Sequence, residues 1–270
     1  MIFDRINIDT SKNFIFLLIL FLHLFTFSVK GDYSNELMPG AKIIFHHWND
    51  EQSKITGYSN FLYEKITENG QQYILEQNEN TKQDGEVYTR KKIWFLVSSG
   101  MPIRYEEEDF RKDFRIINTY SEQKIKTHLY KSGKILEFET KKGLVDIVPL
   151  EIFFLYLRKN FQQILISDDF SFTLFLPLLA MELEEKGLPR SMSMIKMTIE
   201  LEEEKIVDSV LGQIWARKLI VMPQSGLLRA LLPSDKTNFE FLITKNSPYH
   251  VLEFKVGKTI HILREIIFSE

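Results

Sequence analysis

The chain has 270 residues, 44% hydrophobic and 26% charged, with a formal net charge of −3 and no cysteine. This composition is typical of a folded globular protein, and the length fits one large β domain or two small domains. The mildly acidic charge argues against a general nucleic-acid binder and against docking to anionic lipid. The lack of cysteine excludes disulfides, thiol catalysis and lipidation of an N-terminal cysteine.

Residues 1–30 have the pattern of a secretory signal peptide. Arg5 and Lys12 precede an apolar run at 14–29, which is short for a membrane span. Two acidic residues near the start keep an uncleaved anchor as the alternative. We therefore expect an exported protein, periplasmic or associated with the outer membrane, whose mature domain of residues 31–270 carries a net charge of −4 because residues 1–30 contribute +1.

From about residue 41 the sequence predicts strand after strand. The segment EVYTRKKIWFLV (86–97) alternates apolar and polar residues, as a half-buried strand does. Hairpin turns are predicted at KSGK (131–134), at MPQSG between WARKLIV and LLRALLP, at KNSP (245–248) and at Gly257-Lys258. The patterns amount to ten to twelve strands.

A single segment, VPLEIFFLYLRKNF (148–161), interrupts this β pattern. It predicts a helix over 149–164, with Pro149 in the first turn and Asp146 as a cap. Its first two turns are apolar on nearly every side, so it needs cover on more than one side. We therefore predict a mainly β fold, a highly curved antiparallel sheet or incomplete β-barrel wrapped on one central α-helix. The helix would join halves at 35–146 and 167–268. After it, SFTLFLP predicts a strand ended by Pro177, and LLAMELEE fits either a strand or a helix.

Motifs that carry chemistry are missing from the sequence. His46 and His47 are adjacent, so on a strand they point to opposite faces and do not favour a shared metal. The acidic runs at 106–109 and 202–204 lack calcium-loop spacing, and no P-loop, dinucleotide fingerprint, HExxH or nucleophile elbow is present. We predict no enzyme activity, no metal and no cofactor.

Aromatic side chains and one arginine are the candidates for lining a ligand site. Core packing is the alternative for each aromatic residue, and a snorkelling side chain or a salt bridge to Glu151 or to a strand acid is the alternative for the arginine. On a helical wheel the arginine falls at the margin of the apolar stripe. The predicted ligand-lining residues are Phe153, Phe154, Tyr156, Arg158, Trp94 and Trp215.

The order of these features resembles the bacterial envelope family called domain of unknown function 3108. Its helix motif is matched by Asp146, Leu155, Tyr156, Leu157 and Arg158, and its later strand-pair motif by Gly212, Ala216 and Lys218. Pro149 or Leu150 stands where the family has serine. The resemblance covers most of the mature chain. It implies a curled half-barrel like those that carry lipoproteins or lipids, and it implies no catalytic residues.

We therefore predict a non-enzymatic exported protein of the cell envelope. It would bind an apolar, lipid-like ligand or an envelope protein partner at the concave face of the sheet. Two alternatives remain open: a structural or interaction protein whose core is filled by its own helix, and an envelope-polymer hydrolase. The sequence predicts no nucleic-acid partner and leaves the oligomeric state and the ligand open.

Overall fold

The computed structural model describes residues 37–142, 147–167, 169–185, 187, 189–226, 229 and 238–268, which all belong to the compact unit Gly31–Glu270. These residues form one sheet of fifteen strands. The strands are β1 Ala41–Asn49, β2 Lys54–Glu68, β3 Gln71–Lys82, β4 Val87–Leu96, β5 Pro102–Asp109, β6 Phe114–Tyr120, β7 Lys124–Lys131, β8 Lys134–Lys141, β9 Ile147–Pro149, β10 Ser171–Phe175, β11 Met194–Ser209, β12 Gly212–Pro223, β13 Phe239–Thr244, β14 Val251–Val256 and β15 Thr259–Phe268. The helices are α1 Phe153–Lys159, α2 Phe161–Ile166 and α3 Pro177–Glu185, with 3₁₀ turns at Leu150–Ile152 and Arg190–Ser193.

The strands form a long meander in which the last strand, β15, pairs with the first, β1. The sheet order is β8-β7-β6-β5-β4-β3-β2-β1-β15-β14-β13-β12-β11-β10-β9, so the pairing of β1 with β15 joins an N-terminal run, β1–β8, to a C-terminal run, β9–β15. Neighbouring strands are antiparallel except for β9 and β10. No ladder joins β8 to β9 among the described strands, so the sheet is open.

The sheet is strongly curved. The ring of Phe138 on β8 lies 6.3 Å from that of Phe175 on β10, although twelve strands separate these two in the sheet order. Sheets twist because of backbone chirality, and the bulges in β1, β4, β11 and β13 add local bending. The predicted fold class, a curled open sheet around a helical segment, is confirmed.

Tight turns set the register of the meander. Ser132 and Gly133, in the predicted turn between β7 and β8, both have positive φ angles of 50° and 77°. The same pair of angles occurs at Asn69 and Gly70 between β2 and β3, a turn that the sequence analysis did not single out. Two consecutive positive φ values define a type I′ turn, whose twist matches that of the flanking strands. The predicted hairpins at KNSP and at Gly257 are confirmed by the pairing of β13 with β14 and of β14 with β15.

The helical segment is confirmed but is less regular than predicted. Pro149 precedes a 3₁₀ turn, α1 follows, and the chain changes direction at Asn160 before α2 continues to Ile166. The side-chain amide of Asn160 donates to the Tyr156 carbonyl at 2.8 Å. It therefore competes with backbone N–H groups of the helix for this carbonyl oxygen. Phe153 of α1 packs on rings of β10 and β13, and we define the concave face of the sheet as the face that α1 packs against.

The strand count differs from the prediction. Fifteen described strands exceed the expected ten to twelve, because short elements such as β9 give no periodic signal in three residues. SFTLF is a strand, as predicted, and LLAMELEE is helical in α3. The proposed cap Asp146, most of LLRALLP and residues 1–30 lie outside the described residues. The hairpin predicted between WARKLIV and LLRALLP is wrong, because WARKLIV lies in β12, whose two neighbours in the sheet are β11 and β13.

Candidate functional site

Polar side chains form a row across the concave face of the N-terminal run. Residues that pair across antiparallel strands share a face, and successive pairing traces this row from β2 to β7. It consists of Tyr63, Glu76, Ile93, Tyr105, Asn118 and Thr127. All six are buried. Five of them carry a polar group, so these strands bring hydrogen-bonding side chains into a protein interior.

The C-terminal run presents a different concave surface. Its inward residues are apolar and mostly large, and they pack against α1. They include Phe172, Leu174, Ile195, Met197, Leu219, Val221, Phe239, Phe241 and Ile243, each buried. Phe153 of α1 lies between three of these rings, with centroid distances of 5.4 Å to Phe172, 5.8 Å to Phe239 and 5.4 Å to Phe241.

A cavity lies where the helical segment meets the N-terminal run and the seam between the two runs. Its volume is about 60 Å³. That is room for roughly four to six water-sized groups. Its lining residues are Met38, Ile43, Phe45, Phe61, Tyr63, Glu76, Glu151, Phe154, Leu155, Arg158, His250, Val251, Phe254, Leu263 and Ile266. One part of the wall is therefore aromatic and aliphatic, and the other part carries four ionisable side chains and a tyrosine.

Glu76 is the most deeply buried carboxyl group of this cavity. Tyr63, directly opposite on β2, hydrogen-bonds the Glu76 carboxylate. Burial raises the pKa of Glu76 to about 7, although this hydrogen bond and the positive charges of Lys91 and Arg158 act in the opposite direction. Near neutral pH the group is therefore divided between its charged and neutral forms.

Glu151 supplies the second carboxyl group, from the 3₁₀ turn. Its Oε1 accepts a hydrogen bond of 2.6 Å from the side-chain amide of Asn118 and another from the Tyr120 hydroxyl. Burial raises the pKa of Glu151, and the nearby charge of Glu107 raises it further, while the two hydrogen bonds oppose the shift. Asn118 is held in turn by Thr127, whose hydroxyl donates to Asn118 Oδ1 at 2.8 Å.

Arg158 also lines the cavity and is 6% exposed. Burial lowers the pKa of His250, and the positive charge of Arg158 lowers it further, while the same charge partly offsets the raised pKa of Glu76. Arg158 follows Glu151 by seven residues, which is about two helical turns, so both side chains leave the same side of the helical segment. The ionisable side of the helix thus faces the polar row of the sheet.

Four phenylalanine rings form the aromatic wall. Phe154 lies 4.7 Å from Phe254, Phe254 lies 5.4 Å from Phe45, and Phe45 lies 5.7 Å from Phe61, all in edge-to-face orientations. Edge-to-face contacts expose the negative face of one ring to the positive edge of the next, which holds the rings in position. The wall combines residues from α1, β14, β1 and β2.

The six predicted ligand-lining residues lie in different places. Phe154 and Arg158 line the cavity. Phe153 and Tyr156 are 3% and 5% exposed and pack on rings of β10 and β13. Trp94 lies under Arg104, 5.3 Å from its ring centroid, and donates to Glu68, whereas Trp215 is exposed on β12. Neither tryptophan is part of the cavity wall.

Glu76, Glu151, Tyr63 and His250 line the cavity and were not predicted. Glu151 had a usable signal, because its spacing from Arg158 places the two on one helix face. Glu76 had none, since a glutamate on a strand lies more often on the solvent-exposed face of the sheet.

The adjacent histidines are separated as expected. His46 stacks edge-to-face on Tyr58, while His47 is buried and bonds through Nε2 to Ser59 Oγ at 2.6 Å. The buried ring of His261 lies 4.3 Å from His47, and burial lowers the pKa of His47 to about 4. Within the described residues no three histidine or acidic side chains gather as metal ligands would.

Comparisons with known proteins assign no family to this chain. No family model and no curated protein match the chain. One solved structure, described as a "putative exported protein" with a YmcC-like fold from Bacteroides fragilis, aligns with 86% of this chain and 97% of its own at 7% identity and a TM-score of 0.34. A similarity at that TM-score carries no argument. The resemblance to domain of unknown function 3108 stays a prediction.

Proposed function

We propose that this is an exported, non-enzymatic protein of the cell envelope that binds a small amphipathic ligand in the cavity beside α1. The signal-like pattern of residues 1–30 supports export. Among the described residues no helix has both the length and the apolar character needed to cross a bilayer. The observation that carries the proposal is the cavity, whose lining combines an aromatic wall with four ionisable side chains. Ligand sites typically have this composition.

The size of the cavity limits what it holds. A volume of about 60 Å³ accepts a compact group of a few heavy atoms and not a whole acyl chain. The lining residues that are partly exposed are Met38, Phe61, Glu151, Phe154, His250 and Ile266, and we place the opening of the cavity among them. A longer ligand would therefore place one end in the cavity and extend along this opening.

A cavity-filling substitution tests the proposal. Leu263 of β15 is buried in the cavity wall, whereas its neighbour Ile262 is 40% exposed on the other face. We expect native mass spectrometry of protein from the producing cell to show a bound small molecule in the wild type and in Ile262→Trp. We expect the bound small molecule to be lost in Leu263→Trp, because the indole ring would occupy the cavity.

Thermal unfolding of both variants verifies that each is folded, since overpacking costs about 1–3 kcal/mol. A ligand retained in folded Leu263→Trp would show that the cavity is not the site.

A second candidate is a structural or interaction protein without a ligand site. The observation in its favour is the tight packing of Phe153, Leu157 and Phe161, which are 3%, 0% and 0% exposed. This stripe fills the apolar half of the concave face with the protein's own side chains. The absence of bound ligand in the wild type, together with a co-purifying envelope protein, would favour this candidate.

The hydrolase alternative draws on another observation. Enzymes concentrate ionisable groups with shifted pKa values in one cleft, and Glu76 and Glu151, both with raised pKa values, meet in this cavity. Hydrolysis of envelope polymers by the wild type that is lost in Glu76→Gln and in Glu151→Gln would favour an enzyme over a binding protein.

A further inference from the structure

We propose that the ligand of this cavity is an organic cation, an ammonium group with small apolar substituents, held between the phenylalanine wall and the carboxylate of Glu151. This inference rests on the proposed function, because it assumes that the cavity is a ligand site. It adds the chemical class of the ligand.

The charges that line the cavity favour a cation. Glu76 and Glu151 carry two negative charges when ionised, and Arg158 carries one positive charge, while burial keeps His250 neutral. With both carboxyl groups ionised, the lining residues therefore carry one negative charge in excess. A single bound cation brings the sum to zero, and buried charges are stable when they are balanced in this way.

Among the residues that the structure describes, the charged groups behind the lining leave this sum unchanged. Lys91 of β4 and Glu107 of β5 form an ion pair at 3.3 Å, so together they add no net charge. Tyr63 of β2, Tyr105 of β5 and Tyr120 of β6 have pKa values raised well above the usual value by burial and stay neutral.

Glu151 is the carboxylate that a cation would meet. Arg158 acts on Glu76, as its effect on the pKa of that group shows. Among the described residues, the side chains that bond Glu151 are those of Asn118 and Tyr120, which are neutral, and the nearby charge that raises its pKa is that of Glu107, which is negative. Glu151 is bonded by neutral partners, so its carboxylate is the one that we expect a bound cation to approach.

The aromatic wall and the size of the cavity agree with this class of ligand. Ammonium groups are attracted to aromatic rings, and sites for quaternary ammonium ions are built from several rings. Phe45, Phe61, Phe154 and Phe254 provide four contiguous rings in the lining. A trimethylammonium group has four heavy atoms, which fits the volume of about 60 Å³.

Cation binding should be linked to proton release. Burial disfavours the ionised carboxyl groups in the empty cavity, and a bound cation favours them. The bound cation therefore displaces protons, and its affinity should rise as the pH increases from about 5.5 to about 8. The affinity of an uncharged ligand should not rise with pH.

Three probes of the same shape test the proposal by isothermal titration calorimetry. They are choline, its uncharged carbon isostere dimethylbutanol and the carboxylate dimethylbutanoate. We expect choline to bind about tenfold more tightly than either of the others, with an apparent enthalpy that depends on the ionisation enthalpy of the buffer because protons are released.

Two variants and one control locate the site. Glu151→Gln keeps an oxygen for Asn118 and Tyr120 to bond but removes the charge, and we expect it to weaken choline about tenfold and to reduce proton release. Phe154→Leu should weaken choline more than dimethylbutanol, which separates the loss of ring electrostatics from a general packing defect. Glu79→Gln, which changes the same charge on the surface of β3, should leave the affinity for choline unchanged.

The outcomes distinguish this inference from the proposed function. Equal or tighter binding of dimethylbutanol or dimethylbutanoate would overturn the cation and leave the cavity as a ligand site. Equal weakening by Glu79→Gln and Glu151→Gln would also overturn it, because the effect would then be one of net charge. Binding of none of the three probes, with no bound molecule in the native mass spectrum, would overturn both.

Discussion

The two runs of the sheet face the same helical segment with opposite chemistry. The C-terminal run packs aromatic and aliphatic side chains on Phe153, whereas the N-terminal run presents Glu76 and Asn118 to Glu151 and Arg158. Apolar packing alone is sufficient to hold a helix against a sheet. Buried polar groups add cost unless each one is satisfied, so they indicate a surface shaped for something other than stability. The C-terminal run therefore supplies most of the apolar core around α1, and the N-terminal run supplies polar groups of the proposed site.

The largest expected effect concerns the apolar run. Phe153→Ala removes a ring that contacts Phe172, Phe239 and Phe241, and we expect it to lower the free energy of unfolding by about 3–5 kcal/mol because it leaves a cavity in a packed core. Urea denaturation measures this loss. Phe268→Ala, at a position 63% exposed, is the control and should change the free energy by less than about 0.5 kcal/mol.

A Phe153→Ala variant as stable as the control would show that α1 is not anchored by the C-terminal run.

The next effect concerns the polar run and depends on pH. The folded-state pKa of Glu76 is raised from 4.5 to about 7, so the folded protein binds an extra proton between these values. Its favourable contribution is therefore complete below about pH 4.5 and is lost as the pH rises through about 7. We expect Glu76→Gln to exceed the wild type by roughly 3 kcal/mol in free energy of unfolding at about pH 8 and to match it at about pH 4.5.

Urea denaturation at the two pH values measures this difference, and Glu79→Gln serves as the surface control. The same difference at both pH values would mean that Glu76 is not held in its neutral form by burial.

A smaller effect is expected from the hydrogen bonds of the polar run. Asn118→Ala leaves Glu151 without its amide donor and Thr127 without its acceptor, and we expect a loss of about 1–3 kcal/mol. The matched control is Thr119→Ala, one residue later on the exposed face, which should be close to neutral. Thermal unfolding compares the two variants.

The coupling of Asn118 to Glu151 is testable in a double-mutant cycle with Glu151→Gln. We expect the two changes to be non-additive by at least about 0.5 kcal/mol, because the side chains are in contact. Additive effects would contradict a link between the helical segment and the N-terminal run.

The smallest effect on stability is expected for a residue that lies outside the concave surfaces of both runs. Trp215 is 50% exposed and lies away from the cavity lining, although it was a sequence candidate for ligand contact. We expect Trp215→Ala to change the free energy of unfolding by less than about 0.5 kcal/mol and to leave ligand binding intact. Loss of the native ligand in this variant would assign a binding role to the exposed side of β12.

Local sequence patterns predicted strands, turns and helices correctly where a segment was long enough to show its hydrophobic pattern. The alternation in β4, the Ser132-Gly133 turn and the apolar helical segment were all visible, because alternation, positive φ and a continuous apolar run are properties of neighbouring residues. Short elements such as β9 and the break at Asn160 were not visible, because they depend on tertiary packing.

The sequence analysis predicted some residues of the cavity lining and missed others. Phe154 and Arg158 were named because they stand within the unusual helical segment, and both line the cavity. Trp94 and Trp215 were named for their size alone, and residue type does not reveal which way a strand side chain points relative to a curved sheet. Glu76 has no sequence feature that distinguishes it from an exposed glutamate.

The linear sequence is sufficient to establish a β meander, its main turns and one apolar helical segment that requires a curved partner, because these follow from contacts between residues close along the chain. It is also sufficient to predict export. The pairing of β1 with β15, and with it the meeting of a polar run with an apolar run around one helix, depends on contacts between distant residues. The raised pKa values of Glu76 and Glu151 have the same origin, since burial is a property of the folded protein and not of either residue.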